Sequence, residues 1–533
     1  MKKIFTIISF AMLHLLIGQT PVTSGPDWTV TNVISNGGLD KPYTILYGPD
    51  GNLWVTERTG KKVVRVNPVS GSKTEMLDLT SVVYQTAGQD GLLGMAVHPG
   101  LYSDINTSTN NYVYVAYTYD SGGRKLRIAR YTYNAGTGTL NSGSPTTILE
   151  GFDASFGHNG GKLLIGPPNI PVANQKLFYS VGDQEKNRGS NACNEIRAQY
   201  LPTSNSDVSD YQGKILRMNI DGTIPSDNPT LNGIKSHVYT YGHRNPQGII
   251  FSSNGALYSS EHGDKVDDEL NIITSGKNYG WPLIAGYNDD LGYAYCNWSN
   301  YPGSCGSFDS NNCPGASIDE SISMPSITNF QEPIGTYNST TTTAPTGGWL
   351  TWPTVAPASI NIYEAGLIPD WGKSLLIPTL KAGIIFRAKL NVTEDGLESQ
   401  VYEEFHSSSD RYRDIIMDPD GISMYTITDA GAILKIEYTG VVLNTKDYSN
   451  EKQAFSLIPN PASNYVKVSF NATMSLNVNL RLIDIHGRLI KQIDNLLNNH
   501  LLKTTNLSNG LYFVKIYDKN YKQINTRKLI IQH

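Results

Sequence analysis

The stretch Gly242-His243-Arg244-Asn245-Pro246-Gln247-Gly248 sets a cation, an amide and a histidine between two glycines and a proline. Glycine lets backbone come close to a bound group, and proline stiffens a turn. Close behind stand Glu261-His262-Gly263-Asp264, the acidic run Asp267-Asp268-Glu269, and Asn278-Tyr279-Gly280-Trp281-Pro282. So dense a set of special residues suits a loop-built site on a rigid scaffold. Similar groups lie far away in sequence. Gly88-Gln89-Asp90-Gly91 offers an amide and a carboxylate, Phe156-Gly157-His158-Asn159-Gly160-Gly161 a lone histidine, and Gly182-Asp183-Gln184 a carboxylate at a strand end. Lys381 and Arg411-Tyr412-Arg413-Asp414 add cations. Cations converging on one histidine and a few carboxylates fit a small anionic ligand, because Arg and Lys hold carboxylates by charge-assisted hydrogen bonds. A histidine there, with an ordinary pKa of about 6.5, can act as general base. A neighbouring carboxylate would orient it.

Taken singly, each group has a plainer reading. His158 would be a turn residue, Asp183 a turn cap, and Arg411 with Arg413 one solvated strand face. The acidic run lacks EF-hand spacing. No Gly-x-Gly-x-x-Gly follows a strand, and neither a Walker loop nor His-Glu-x-x-His is present, so a redox cofactor here is not a Rossmann-bound nucleotide.

The elements that must bring these groups together read as strands. An apolar strand, a Gly/Asp/Asn turn and an aromatic-rich strand recur. They appear at Tyr47-Gly48-Pro49-Asp50-Gly51-Asn52-Leu53-Trp54-Val55, at Ser253-Asn254-Gly255-Ala256-Leu257-Tyr258 and at Asp418-Pro419-Asp420-Gly421. Asp-Gly and Asn-Gly are the dipeptides of tight hairpin turns. Looser copies surround Tyr112-Val113-Tyr114, Leu177-Phe178-Tyr179 and Leu375-Leu376-Ile377. About six hairpin-rich units predict an all-β, six-bladed β-propeller over 28–440; a sandwich with long loops is the competing arrangement. The turn-rich insert from Tyr293 to Gly348 is expected to decorate one face.

Met1-Lys2-Lys3 and the apolar run to Ile17 predict a secretory signal peptide over 1–18, since the run is short for a membrane span. Export permits disulfides among Cys193, Cys296, Cys305 and Cys313. Three of these lie close together, which favours a local bridge, but four cysteines allow three pairings. Charge changes near Val441. From there on the chain has 12 Lys and Arg against 5 Asp and Glu, leaving 30 against 42 before it. An acidic main body argues against nucleic-acid binding. A polar linker over 441–453 leads into alternating strands over 454–533, a small C-terminal β-sandwich. Its Ile458-Pro459-Asn460-Pro461 start, the Asp484-Ile485-His486-Gly487-Arg488 hairpin and Gly510-Leu511-Tyr512-Phe513-Val514-Lys515 resemble the sorting domains read by bacterial type IX secretion machinery. A carbohydrate-binding or adhesion module is the alternative, though no aromatic platform stands out.

From about Ile34 to Tyr438 the chain resembles the soluble quinoprotein glucose dehydrogenases of the glucose/sorbosone dehydrogenase family. The likeness rests on Gly88 to Gly94, Gly182-Asp183-Gln184, Tyr241 to Gly248, Asn278 to Pro282, Trp352 to Pro357, Ile377 to Arg387 and Arg411 to Asp414. It implies pyrroloquinoline quinone (PQQ) and calcium at the propeller mouth, and a homodimer. By resemblance, His158 is the base, Asp183 orients it, Arg244 faces the quinone oxygens and Gln89 holds substrate. Lys381, Arg411, Arg413, Asn245 and Thr354 would hold PQQ, a tricarboxylate. Backbone oxygens of Gly263 and Asp264 would bind one calcium; Ala285, Tyr287, Asp289 and Glu320 would bind a second.

The chain departs from the family pattern at Gly157, where a substrate-contacting Asp is expected, and at His262 and Asp264, where Gln and Pro are expected. Trp349 replaces a Tyr. A missing carboxylate at 157 predicts loose discrimination among sugars. The expected activity is oxidation of aldoses to lactones outside the cell or at its surface, after passage through the periplasm. Electrons would pass to an acceptor other than oxygen. A dehydrogenase for another sugar or a sorbosone-like aldehyde, or a propeller that only binds, are the alternatives.

Overall fold

The computed structural model describes residues 20–533, except 87, 107, 189–190, 292–294, 301–316, 319, 321–326, 338–344, 346–348, 443–454, 471–477, 485–487 and 518–522. The expected signal peptide and all but the first two residues of the expected linker thus fall outside the described residues. The chain divides into two compact units, Met1–Leu443 and Asn444–His533.

The first unit is a β-propeller of six four-stranded antiparallel blades. Blade one runs Pro42–Tyr47, Leu53–Glu57, Lys62–Val66 and Lys73–Asp78. Blade two runs Leu92–Val97, Tyr112–Asp120, Arg124–Asn134 and Thr146–Asp153. Blade three runs Leu163–Gly166, Lys176–Val181, Lys214–Met218 and Val238–Tyr241. Blade four runs Pro246–Phe251, Leu257–Glu261, Glu269–Ile272 and Gly335–Thr336. Blade five runs Asn361–Tyr363, Ser374–Pro378, Ile384–Lys389 and Glu403–Ser407. Blade six takes Tyr412–Met417, Ser423–Thr428 and Ile433–Tyr438 from the end of the unit. Its outer strand, Trp28–Ile34, comes from the beginning, with Trp28 opposite Tyr438. The innermost strands pack side by side around a closed ring. The insert after Tyr293 is not only decoration, because Gly335–Thr336 supplies the outer strand of blade four.

The three Asp-Gly and Asn-Gly motifs fall at one place, the first hairpin of blades one, four and six. Gly51, Gly255 and Gly421 have φ of +75, +95 and +73°, a conformation that favours glycine. Each residue before them caps the turn alike: Asp50, Asn254 and Asp420 accept from the N–H of Asn52, Ala256 and Ile422 at 3.1, 3.0 and 2.8 Å. Second strands such as Leu53–Glu57 and Leu257–Glu261 are buried at every position, because each blade is covered on both faces. Apolar clusters fill the gaps between blades. Trp54, Met95 and Tyr131 join blades one and two, while Ile45, Val64 and Tyr425 join blades one and six.

The second unit pairs a three-stranded sheet (Phe455–Ile458, Tyr465–Phe470, His500–Lys503) with a four-stranded one (Val478–Asp484, Leu489–Leu496, Gly510–Tyr517, Gln523–Ile531). Alternating residues Val466, Val468, Leu480, Leu482, Val514 and Ile516 form one shared core, as a sandwich requires. In the described residues no helix is long and apolar enough to cross a membrane.

Candidate active site

In an antiparallel blade the start of the innermost strand and the end of the second lie at the same rim. Gln89, His158, Arg244 and Arg411 each precede an innermost strand, whereas Asp183, Gly263 and Lys381 each follow a second strand. This common rim explains why residues so far apart in sequence meet. They enclose a cavity of about 600 Å3, whose lining includes Gln89, His158, Arg244, Gly263, Thr354 and Lys381.

His158 Nδ1 lies 2.7 Å from Asp183 Oδ1. The carboxylate accepts the Nδ1 proton, which directs the Nε2 lone pair to the cavity side. His158 has φ +50°, an uncommon backbone for a residue with a side chain. Its carbonyl accepts from the Gln184 N–H at 3.1 Å. Asp183 is fixed from two further sides: Trp281 Nε1 donates to Oδ2 at 3.0 Å, and the Asp183 N–H donates to the Arg244 carbonyl at 2.6 Å. The same Trp281 ring lies 5.3 Å from the Arg244 guanidinium. One indole therefore positions both the dyad and the nearest cation. Arg244 also pairs with Asp264 at 3.2 Å, and Arg188 reaches that carboxylate at 3.5 Å.

His262 lies edge-on to His158, ring centres 6.5 Å apart. Burial first, then the charges of His158 and Arg244, push its pKa well below the usual histidine value. Nε2 donates to the Pro357 carbonyl at 2.9 Å, and Asn245 Nδ2 stands 3.4 Å from Nδ1. These partners fix a neutral ring.

Lys381 donates to the Trp352 carbonyl and Thr354 Oγ1 at 2.5 and 2.6 Å. Burial lowers its pKa, against a pull upward from Asp268. Asp268 is itself raised by burial, and its oxygens accept the N–H groups of Gly263, Val355 and Ala356. Among the described residues no carboxylate forms an ion pair with Lys381, so this half-buried ammonium calls for an anion in the cavity.

Arg411 lines the cavity, but Arg413 does not. The two guanidinium groups, expected on one strand face, close together on Asp429, at 3.1 and 3.0 Å, across a register shift between Tyr412 and Asp414. Burial raises the Asp429 carboxyl, but the two cations outweigh it and bring it to about 2. Asn245 is likewise buried behind the wall, accepting from Gln247 at 3.0 Å.

The expected metal ligands are only partly gathered. Gly263 and Asp264 are at the cavity wall. Ala285 N–H donates to Glu320 Oε1 at 2.9 Å, beside a small void of about 10 Å3. Asp289 is exposed and accepts from its own Leu291 N–H at 3.0 Å; the Tyr287 hydroxyl points to Gln400 at 3.4 Å. Among the described residues no three acidic, histidine or cysteine side chains cluster as a metal cage. The Trp349 side chain lies outside what is described. Cys193 and Cys296 are disulfide-bonded; Cys305 and Cys313 lie outside the described residues.

Arg188 and Glu185 line the cavity without having been singled out in the sequence, beside Trp352 from the stretch Trp352 to Pro357. Glu185 also changes the reading of Gly157: its carboxyl group occupies the space in which a side chain at 157 would sit. A carboxylate is therefore present where its loss was expected.

The fold and the site together are those of a six-bladed propeller with a His–Asp dyad and a cationic wall at one mouth. The chain belongs to the Glucose / Sorbosone dehydrogenase family, matched over residues 39–303 and 325–435, a family of oxidoreductases. It is 38% identical over 469 residues to quinoprotein glucose dehydrogenase B of Acinetobacter calcoaceticus, covering 83% of this chain and 94% of that protein. It is 26% identical to the aldose sugar dehydrogenase YliI of Escherichia coli, over 80% of this chain and 98% of that one. The PQQ-bound form of an aldose sugar dehydrogenase from Streptomyces coelicolor matches with a TM-score of 0.53 at 25% identity, over 77% of this chain and 98% of its own. Residues 456–532 are a secretion system C-terminal sorting domain.

Proposed function

We propose that this protein is a PQQ- and calcium-dependent aldose 1-dehydrogenase that turns sugars into lactones and leaves the cell by the type IX route. The observation that carries the reading is the His158–Asp183 dyad facing a cavity whose wall holds Lys381, which has no carboxylate partner among the described residues. The cavity volume and its cations Arg188, Arg244, Lys381 and Arg411 suit a flat tricarboxylate. Lys381, Thr354 and Arg411 would hold it directly. Asn245 and Arg413 act from behind, by fixing His262 and Asp429. Backbone oxygens of Gly263 and Asp264 offer the hard donors that calcium prefers, while Ala285, Tyr287, Asp289 and Glu320 supply oxygens for a second ion.

PQQ held by Lys381, Thr354 and Arg411 would supply the two-electron acceptor for the hydride of the anomeric carbon. His158 Nε2 takes the proton of the anomeric hydroxyl, and the carbon–oxygen double bond of the lactone forms. Asp183 keeps the imidazole in the required tautomer and stabilises its charged form. Arg244, held by Asp264 and Trp281, faces the negative charge that develops. Gln89 supplies an amide to a sugar hydroxyl. The electrons then pass to an acceptor other than oxygen, and a homodimer is the expected assembly. Purified protein with PQQ and calcium should oxidise glucose with an artificial dye as acceptor, and should stay inactive without PQQ. Undiminished oxidation in protein shown to be free of PQQ would overturn the reading.

A further inference from the structure

The loop after Asp183 carries a side chain that the dyad and the cationic wall do not explain. Glu185 lies in the cavity lining. Its Oε1 is 4.0 Å from His158 Nε2, and its side chain is 30% exposed. Among the described residues no hydrogen-bond donor reaches its carboxylate. Its backbone is held in place: φ is +52°, and its N–H donates to Asp183 Oδ1 at 3.0 Å. A carboxylate kept on a left-handed backbone by the dyad itself is placed for use rather than left loose in solvent.

Gly157 completes the arrangement. A Cβ built there would stand 2.6 Å from the Glu185 carboxyl carbon and 2.7 and 2.9 Å from its oxygens. The glycine leaves the space that the carboxylate fills.

We infer that Glu185 is a sugar-specificity residue that accepts a hydrogen bond from the C2 hydroxyl of the aldose. This rests on the proposed function, which puts the anomeric hydroxyl on His158 Nε2. A second acceptor 4.0 Å from that nitrogen meets whatever donor adjoins the reacting carbon. The anomeric carbon has two ring neighbours. The ring oxygen carries no proton, so an ionised carboxylate has nothing to accept from it. The C2 carbon bears a hydroxyl. A sugar without that hydroxyl, or with it inverted, leaves Glu185 desolvated and unpaired, and it is rejected for that reason.

The test compares kcat/KM for glucose, 2-deoxyglucose and mannose in holoenzyme and variants. Wild type should prefer glucose to both by roughly tenfold or more. Glu185→Ala should bring the three sugars to within about threefold of one another, and its PQQ titration, followed by absorbance, should match wild type. Gly157→Ala should act similarly, because its methyl group displaces the carboxylate. The Gly157→Asp/Glu185→Gly double variant returns a carboxylate to the same space from the other loop and should restore the preference. If Glu185→Ala keeps the wild-type ratios while binding PQQ normally, Glu185 does not read the C2 hydroxyl. If wild-type holoenzyme oxidises no aldose, the proposed function itself falls and this role falls with it.

Discussion

His158 and Lys381 divide the chemistry of the site between a proton and an anion, and their variants should fail differently. His158→Ala should bind PQQ as wild type does, yet turn over glucose about 10²–10⁴-fold more slowly, the usual contribution of a positioned base. Dye-linked turnover beside a cofactor titration separates the two quantities; near-normal turnover would assign the base elsewhere. Lys381→Met should do the reverse. Charge-assisted hydrogen bonds are worth about 1.5–3 kcal/mol, so PQQ should dissociate roughly ten- to a hundredfold more readily, while turnover at saturating PQQ changes less. At this scale the sequence was legible where chemistry and backbone agree. A histidine among glycines and an aspartate at a strand end both stood out, and they meet at 2.7 Å. Glu185 was not legible. Its role depends on filling a gap left by a glycine in another loop, and no periodicity within either segment records that.

The blades place these side chains through a few buried ionic and polar anchors. Asp429 gathers Arg411 and Arg413 at the start of the sixth blade. Its carboxyl sits at about 2 instead of the ordinary 3.8. A depressed acid adds stability that is fully present above its unfolded pKa and lost as pH falls through the folded one. Asp429 should thus contribute roughly 2 kcal/mol near neutrality, disappearing between about pH 4 and pH 2. Urea unfolding of wild type and Asp429→Asn across that range should show the difference between them shrinking; a constant gap would mean the ion pairs add nothing. The long loop after Asp183 has a different anchor. Lys214, fully buried, donates to the carbonyls of Arg197, Ala198 and Gln212 at 3.1, 2.9 and 2.7 Å. Lys214→Met should leave these oxygens unpaired at a cost of about 1–3 kcal/mol each, seen as a lower Tm. It should also weaken discrimination among sugars, since the loop carries Glu185. The hairpins themselves were readable from their Asp-Gly and Asn-Gly turns. The outer strand of blade four was not, because Gly335–Thr336 is two residues long and sits in a turn-rich insert.

For the whole molecule, the division near Leu443 separates a catalytic unit from a tail with its own apolar core. A chain ending at Gly440 should fold, bind PQQ and oxidise sugar in vitro, but accumulate inside the native cell. Normal appearance of that shortened chain in the medium would remove the sorting role from the tail. The tail was legible because strands such as Tyr465–Phe470 and Gly510–Tyr517 alternate between buried and more exposed positions. The propeller was harder to read. Its second strands are buried on both faces and so carry no alternation, leaving the turns as the main periodic signal.

The seam of the sixth blade also has a mechanical meaning. Trp28 and Tyr438 are the first and last residues of the ring and face each other across the same pair of strands. Tension between the two ends of the unit would therefore open that pair like a zip, one rung at a time, instead of shearing all its rungs together. The first rung of the pair is Trp28, whose ring packs 5.2, 4.9 and 5.1 Å from those of Trp371, Phe405 and Tyr438. This aromatic rivet sits at the first rung of the peel and is backed by the Thr439 N–H bond to the Asp27 carbonyl at 2.7 Å and by Thr23 beside His406 at 2.8 Å, so resistance to opening is gathered at one end of the seam.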